Sequence, residues 1–323
     1  MKIDNFALTM YQTCPSKYDL RINQGWTPMR RSGALGFGGA IHEGLAAWHR
    51  GEGLAKALYA IEASWPQNGP VDDFRTKEKC LTVMMEYARK YPSETFKVVQ
   101  GPSGPLIEVP FTLDTGMYLP CKLSFIKERI AEFGVAGSCP GIPLEDDMCN
   151  VCGGRCEPIE YGGIFDGVVE FSGSVYVLEH KSTSMLGSTY FRQFKPNNQV
   201  TGYAWAAAQM SGLPVGGAII NAIGVYKSGA TKFERNITSR FPEEIIEWLD
   251  NVYMVCVQLK TSQLTNHWSK STNACTLYGM CEYHSVHELG RENERQKLLE
   301  QQYIKEHWDY EQRGGTEVAT NGN

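Results

Sequence analysis

Apolar residues recur at helical spacing early in the chain and shift toward strand-like patterning from Leu106 onward, so helices are expected first and a sheet after them. Residues 6–22, FALTMYQTCPSKYDLRI, predict a short helix or turn-helix with Pro15 at a helix start, where its missing N–H costs nothing. Pro28 and the glycines at 33, 36, 38 and 39 predict a loop. Ile41, Leu45 and Trp48 then line one face of an amphipathic helix over residues 40–49, and two more helices are expected over 54–65 and 76–90. The run LIEVPFTL, with β-branched and aromatic residues between turn formers, reads as the first strand. Strands over 163–171 and 174–181 are joined by Ser172-Gly173-Ser174, a hairpin signal. An Ala-rich helix follows over 198–210, then a strand pair over 216–226 and 231–237. A helix over 241–260 opens with Pro242 and two glutamates, which suit the positive end of its dipole. The charge-rich stretch 290–313 predicts a solvated helix and GGTEVATNGN a disordered end. The order gives an α/β fold with a central mixed sheet flanked by helices, interrupted over 120–160 by a cysteine-rich insertion.

Composition narrows the class. With 323 residues, 42% hydrophobic and 11% aromatic, the chain can bury a sizeable core, and wholesale disorder is excluded. No apolar run approaches the length of a membrane span; the longest, residues 215–226, contains three glycines and an asparagine. The start MKIDNFALTMYQTC lacks a long apolar core and does not read as a secretory signal, so a cytoplasmic location is expected. Ten cysteines in a reducing compartment are then thiols or metal ligands rather than disulfides. The net charge of −5 argues against coating nucleic acid through bulk charge, though not against a local basic groove.

The sharpest local chemistry is Asp166 in GGIFDGVV followed by Glu179-His180-Lys181 in VYVLEHKS. Alternate residues of a strand share a face, so Glu179 and Lys181 point the same way, and Asp166 can meet them across the hairpin. An E-x-K pair is ordinarily a surface ion pair. Here VYVL before Glu179 and the apolar run before Asp166 imply charge delivered from a core. Two carboxylates crowded there are costly without a hard cation such as Mg²⁺ or Mn²⁺, held by the carboxylates and the His180 carbonyl. Lys181 would orient or help deprotonate the attacking water. Gln199 and Tyr203 lie one helical turn apart and share a face. The early glycines are followed by no Lys-Ser/Thr, so a nucleotide-binding loop and a built-in ATP motor are not supported.

Taken in order, these features resemble the PD-(D/E)xK nuclease superfamily, specifically its RecB- and Cas4-like exonuclease branch. Cys14 in YQTCPSKYDLR is similar to the N-terminal cysteine of the iron–sulfur members, and His42 in GGAIHEGL to the metal-binding histidine of the first core helix. Glu108 in LIEVPF resembles the acidic residue of the first strand. Asp166, Glu179 and Lys181 match the catalytic motif, and Gln199 and Tyr203 in NNQVTGY the QxxxY motif. Cys275 and Cys281 in NACTLYGMCEYHSVH resemble the C-terminal cysteine cluster.

The resemblance implies a nuclease domain over 1–290 that contains the 120–160 insertion, followed by a charged helix and tail over 291–323. It implies a metal-dependent exonuclease acting on single-stranded DNA or duplex ends. His42, Asp166, Glu179, the His180 backbone and Glu108 would hold Mg²⁺ or Mn²⁺, while Gln199 and Tyr203 meet a substrate phosphate or brace the lysine. A basic groove would be drawn from Lys17, Arg21, Arg30, Arg31, Arg192 and Lys195. The alternative is a non-catalytic DNA-end-binding accessory of replication or recombination built on the same fold. A chain with these features suits phage or mobile-element DNA processing, with replication or recombination proteins as partners.

The same resemblance implies a 4Fe–4S cluster on Cys14, Cys275 and Cys281, with His287 where the family places its fourth cysteine. Three arrangements stay open: His287 is the ligand, His284 takes its place, or the cluster is replaced by Zn²⁺ or by nothing. Cys80, Cys121 and Cys256 carry no partner pattern and read as buried small hydrophobes. Cys139, Cys149, Cys152 and Cys156 lie in SCPGIPLEDDMCNVCGGRCEP, where Cys149-x₂-Cys152 followed by Gly-Gly is a knuckle spacing. Four thiolates suit tetrahedral Zn²⁺, and a stretch this poor in apolar residues needs such a ligand to fold. The module would clamp or steer DNA.

Overall fold

The computed structural model describes residues 1–29, 33–66, 73–119, 147–150, 153–277, 279–312 and 314–317. The chain divides into two compact units: Met1–Met29, Thr112–Gly163 and Ile246–Asn323 form one, and Arg30–Phe111 with Ile164–Ile245 the other. Among the described residues no helix is long and apolar enough to cross a membrane.

The second unit is built on a mixed five-stranded sheet in the order Thr231–Ser239, Val215–Val225, Ser174–Thr183, Gly167–Phe171 and Lys97–Val98. Val215–Val225 runs parallel to Ser174–Thr183, and the remaining pairs are antiparallel. The hairpin turns at Ser172 and Gly173, whose φ of 51° and 79° match the two-residue turn that suits strand twist. The parallel pair needs a crossover, supplied by the helix Asn198–Ser211. Asn197 caps that helix by accepting from the Val200 N–H at 3.1 Å, and Gly212 ends it in the left-handed conformation. Its residues Val200–Ala207 are all buried, which a small, Ala-rich sequence permits.

Phe37, Ile41, Leu45, Ile61, Met84 and Tyr87 from three helices join Ile223 and Phe233 from the sheet in one apolar cluster. Each fully buried side chain of this size contributes about 1.5–3 kcal/mol. That cluster explains one correction. The glycine-rich stretch expected to be a loop is the first part of the helix Gly33–His49, because burying Phe37 and Ala40 outweighs the low helix propensity of glycine.

Other boundaries also move. The first strand begins at Val109, leaving Leu106 and Ile107 buried ahead of it. The single strand expected over 163–171 is two, Glu157–Phe165 and Gly167–Phe171, parted at Asp166. In the first unit, Lys2–Asp4 pairs in parallel with Glu157–Phe165. Its C-terminal segment is a helix only over Glu292–Gln302, and Tyr303–Asp309 is a strand between Trp26–Pro28 and Gly314–Glu317. Tyr303 and Leu299 there bury against Leu20, Trp26, Tyr283 and Val286, which a wholly solvated helix could not do. The pairing of Gly314–Glu317 replaces the disorder expected at those positions; 318–323 lie outside the described residues.

Candidate active site

Asp166 occupies the break between two strands, where its side chain is freed from the sheet's alternation yet stays buried at 5% exposure. Its Oδ2 accepts from the His180 backbone N–H at 2.7 Å, and its Oδ1 lies 3.2 Å from His42 Nδ1. His42 arrives on the helix Gly33–His49. Glu108 completes the group, and the two residues before it are hydrogen-bonded: Leu106 accepts from the Val168 N–H at 2.9 Å, and Ile107 from Arg50 at 3.4 Å. Glu108 holds a φ of 55°, a left-handed conformation that non-glycine residues adopt at a cost of about 1–3 kcal/mol. One ligand atom each from His42, Glu108 and Asp166 lies within 4.8 Å of the others, and among the described residues no other His, Cys, Asp or Glu trio does so.

Beside this group, Glu179 and Lys181 share a face of the strand Ser174–Thr183, their charges 2.6 Å apart. Burial pushes the Glu179 carboxyl up, and Lys181 pulls it back. At Lys181 burial works against the ammonium, but Glu179 and Asp166 outweigh it and the pKa rises. The two carboxylates thus favour the charged form of Lys181. Its Nζ donates to Gln199 Oε1 at 3.0 Å. Tyr203, one turn on, stands edge-on to Phe111 and Phe165 with ring centres 5.6 Å away from each.

Behind the strand lies a buried polar network that the sequence reading missed. His180 faces away from Glu179 and Lys181, and its Nδ1 is 2.8 Å from Asn221 Nδ2. Tyr87, His49, Arg235 and Glu94 extend the chain of contacts. Burial, reinforced by Arg235 and opposed by Asp166, lowers His49 to about 3, and burial also holds His180 well below its ordinary value. Both imidazoles are neutral at physiological pH. The available signal was Asn221, a lone polar residue inside the apolar run GGAIINAIGV.

The cysteines are less convergent. No three of Cys14, Cys275, Cys281, His284 and His287 bring ligand atoms within 4.8 Å of one another. Cys14 is buried, Cys281 N–H donates to the Cys275 carbonyl at 2.7 Å, and His287 Nε2 sits 3.0 Å from Ser16 Oγ. Burial, aided by Lys270, lowers His287 to about 4. In the second set, Cys149 and Cys156 are buried in a small hairpin, with Cys149 N–H donating to Gly154 and Cys156 N–H to Asp147. Cys139 and Cys152 lie outside the described residues, as does Cys121. Cys80 and Cys256 are buried, and desolvation pushes both thiols up to about 12.

The basic groove is corrected in part. Arg21 is buried and donates to the Glu306 carbonyl at 3.0 Å, Lys17 pairs with Glu282 at 3.0 Å, and Lys195 with Glu244 at 3.2 Å. Arg192 is exposed; Arg30 and Arg31 lie outside the described residues.

A family model of the PD-(D/E)XK nuclease superfamily matches residues 6–286. The chain belongs to that superfamily. The central mixed sheet flanked by helices is the PD-(D/E)XK fold, and the acidic, histidine-bearing group accords with the divalent-metal chemistry of PD-(D/E)XK nucleases acting on DNA. Among solved structures, a candidate exonuclease from Eubacterium rectale is similar at 11% identity, with 90% of each chain covered and a TM-score of 0.48. No curated protein matches the chain.

Proposed function

We propose that this PD-(D/E)XK protein is a Mg²⁺- or Mn²⁺-dependent deoxyribonuclease that acts as an exonuclease on single strands or duplex ends. The observation that carries the reading is the convergence of His42, Glu108 and Asp166 within 4.8 Å, beside the buried Glu179–Lys181 pair. The donors fit such an ion: two carboxylates supply hard oxygen ligands and an imidazole a borderline nitrogen, and carboxylates this close repel unless a cation lies between them. Bound there, the cation would neutralise charge on the scissile phosphate and acidify a water for attack.

The chain's own residues then have separable tasks. Asp166, fixed by the His180 N–H, keeps one carboxylate oxygen in place. Glu179 stabilises the Lys181 ammonium, and Gln199 aims it. A cation held so rigidly offers a phosphate oxygen a charged donor that needs no reorganisation as charge develops. With Gln199 Oε1 turned to Lys181, the amide nitrogen remains to meet a neighbouring phosphate, and the exonuclease preference rests on the resemblance of Gln199 and Tyr203 to the QxxxY pair. For the cysteines the reading rests on sequence alone: an iron–sulfur cluster on Cys14, Cys275 and Cys281 with His287 or His284, or Zn²⁺ or nothing in its place, and a zinc site on Cys139, Cys149, Cys152 and Cys156.

Labelled single- and double-stranded DNA, incubated with Mg²⁺ or Mn²⁺, tests this directly. Wild type should shorten one or both, while Glu179→Ala and Lys181→Ala each lose at least about 10²-fold in kcat. No cleavage by wild type with either ion would remove the enzyme and leave a DNA-end-binding accessory; equal cleavage by the variants would remove the site assignment. Iron, sulfide and zinc counted in the same preparation, purified anaerobically, decide the cysteine assignments.

A further inference from the structure

The hydrogen-bonded chain behind the strand can be assigned proton by proton. Arg235 is always a donor: its Nη1 and Nη2 reach Glu94 at 2.6 and 3.0 Å, Nη2 also reaches Tyr87 OH at 2.7 Å, and Nε reaches Asn221 Oδ1 at 3.2 Å. Asn221 Nδ2 donates to Tyr87 OH at 3.1 Å. The Tyr87 oxygen thus accepts twice, and its own proton goes to His49 Nε2 at 3.3 Å. The other Asn221 amide hydrogen needs an acceptor, so His180 Nδ1, at 2.8 Å, is bare and the ring proton sits on Nε2, a buried atom with no hydrogen-bond partner among the described residues. From the part-buried Arg235 and Glu94 the chain runs inward to Asn221 and Tyr87 at 0% exposure and His180 at 1%. Buried donors have no water to fall back on, so each contact fixes the next.

The far end of this chain is the candidate cation site. His180 is the cross-strand partner of Asn221, and its backbone N–H is the donor to Asp166 Oδ2. Its ring stacks on His49 at 5.1 Å and meets His42 edge-on at 5.7 Å. Two of the three convergent side chains, Asp166 and His42, therefore lean on one residue, and Asn221 and Arg235 hold that residue still.

We propose that Asn221 and Arg235 are positioning residues for the cation site, acting through His180 to hold Asp166 and His42 in a metal-ready arrangement. The proposal rests on the reading of His42, Glu108 and Asp166 as that site. Neither positioning residue touches the ion or the DNA. Loss of such outer support ordinarily weakens metal binding about 10–100-fold.

The test measures Mn²⁺ binding to the full-length protein by the loss of the free-ion paramagnetic signal, for wild type, Asp166→Ala, Asn221→Leu and Arg235→Lys. Thermal unfolding of each reports the fold. Wild type should bind, and Asp166→Ala should not. Asn221→Leu and Arg235→Lys should bind about tenfold more weakly, with KM for single-stranded DNA unchanged and kcat recovered in excess Mn²⁺. Arg235→Lys keeps the charge and loses only the fork, so it serves if Asn221→Leu misfolds. Wild-type affinity in both positioning variants, with Asp166→Ala still defective, would overturn the proposal alone. Absence of binding in wild type would overturn it together with the cation reading beneath it.

Discussion

Glu108 and His49 show how one residue's local discomfort marks the site. Glu108 is held left-handed where a strand was expected to begin, and the strain is sustained by the bonds of its neighbours Leu106 and Ile107. His49 is costly in a different way. In the unfolded chain its imidazole takes a proton below an ordinary value of 6.5, but in the fold only near 3. Between those limits the unfolded state binds more protons, so the stability His49 contributes is complete above pH 6.5 and drains away as pH falls. At pH 5 this one site costs about 2 kcal/mol relative to neutral pH. In His49→Gln the drop in Tm between pH 7 and pH 5 should shrink by a few degrees, and an unchanged drop would refute the assignment. Asp166, Glu179 and Lys181 could be read from the sequence because apolar runs ended in charges. His49 and Asn221 could not, because a single polar residue in an apolar run declares neither its partners nor its depth.

Helices and strands were legible wherever the apolar period ran long enough, as in 77–90 and 215–225. Boundaries failed where a tertiary contact decided them. Ile164, Phe165, Val168 and Val169 flank Asp166 with apolar residues on both sides, so nothing local announces the break there. The strand Tyr303–Asp309 reads as part of a charged helix until its pairing with Trp26–Pro28 is known. The register shift between Val215 and Ala218 is another such device. Gly217 has a φ of 134°, and a Cβ there would lie 2.0 Å from the Thr238 carbonyl and 2.9 Å from Ser239 Cα. Gly217→Ala should therefore lose about 2–4 kcal/mol in urea unfolding. Gly173→Asn, at a φ of 79° with nothing within 4 Å of the added Cβ, should lose well under 1 kcal/mol. Equal losses would show that turn strain, not the backbone collision, sets the cost.

At the scale of the whole molecule, composition predicted a globular chain with a sizeable core, but net charge misplaced some of its charges. The net −5 includes carboxylates that converge on the candidate cation site, and Arg21, counted toward a DNA groove, is committed to Glu306 inside its own unit. The division into units was not legible, because each is assembled from segments far apart in sequence. That discontinuity has a consequence for the order of synthesis. The unit carrying His42, Glu108, Asp166, Glu179 and Lys181 is fully translated at Ile245, whereas the other waits for the segment that starts at Ile246. A nascent chain can therefore close the unit with the candidate cation site first, with the unit that contains Cys14, Cys275 and Cys281 completed last. Ribosome-stalled chains in which Ile245 has just cleared the tunnel should yield a protease-resistant fragment spanning Arg30–Phe111 and Ile164–Ile245. If resistance arises only on release of the full chain, the two units fold as one step.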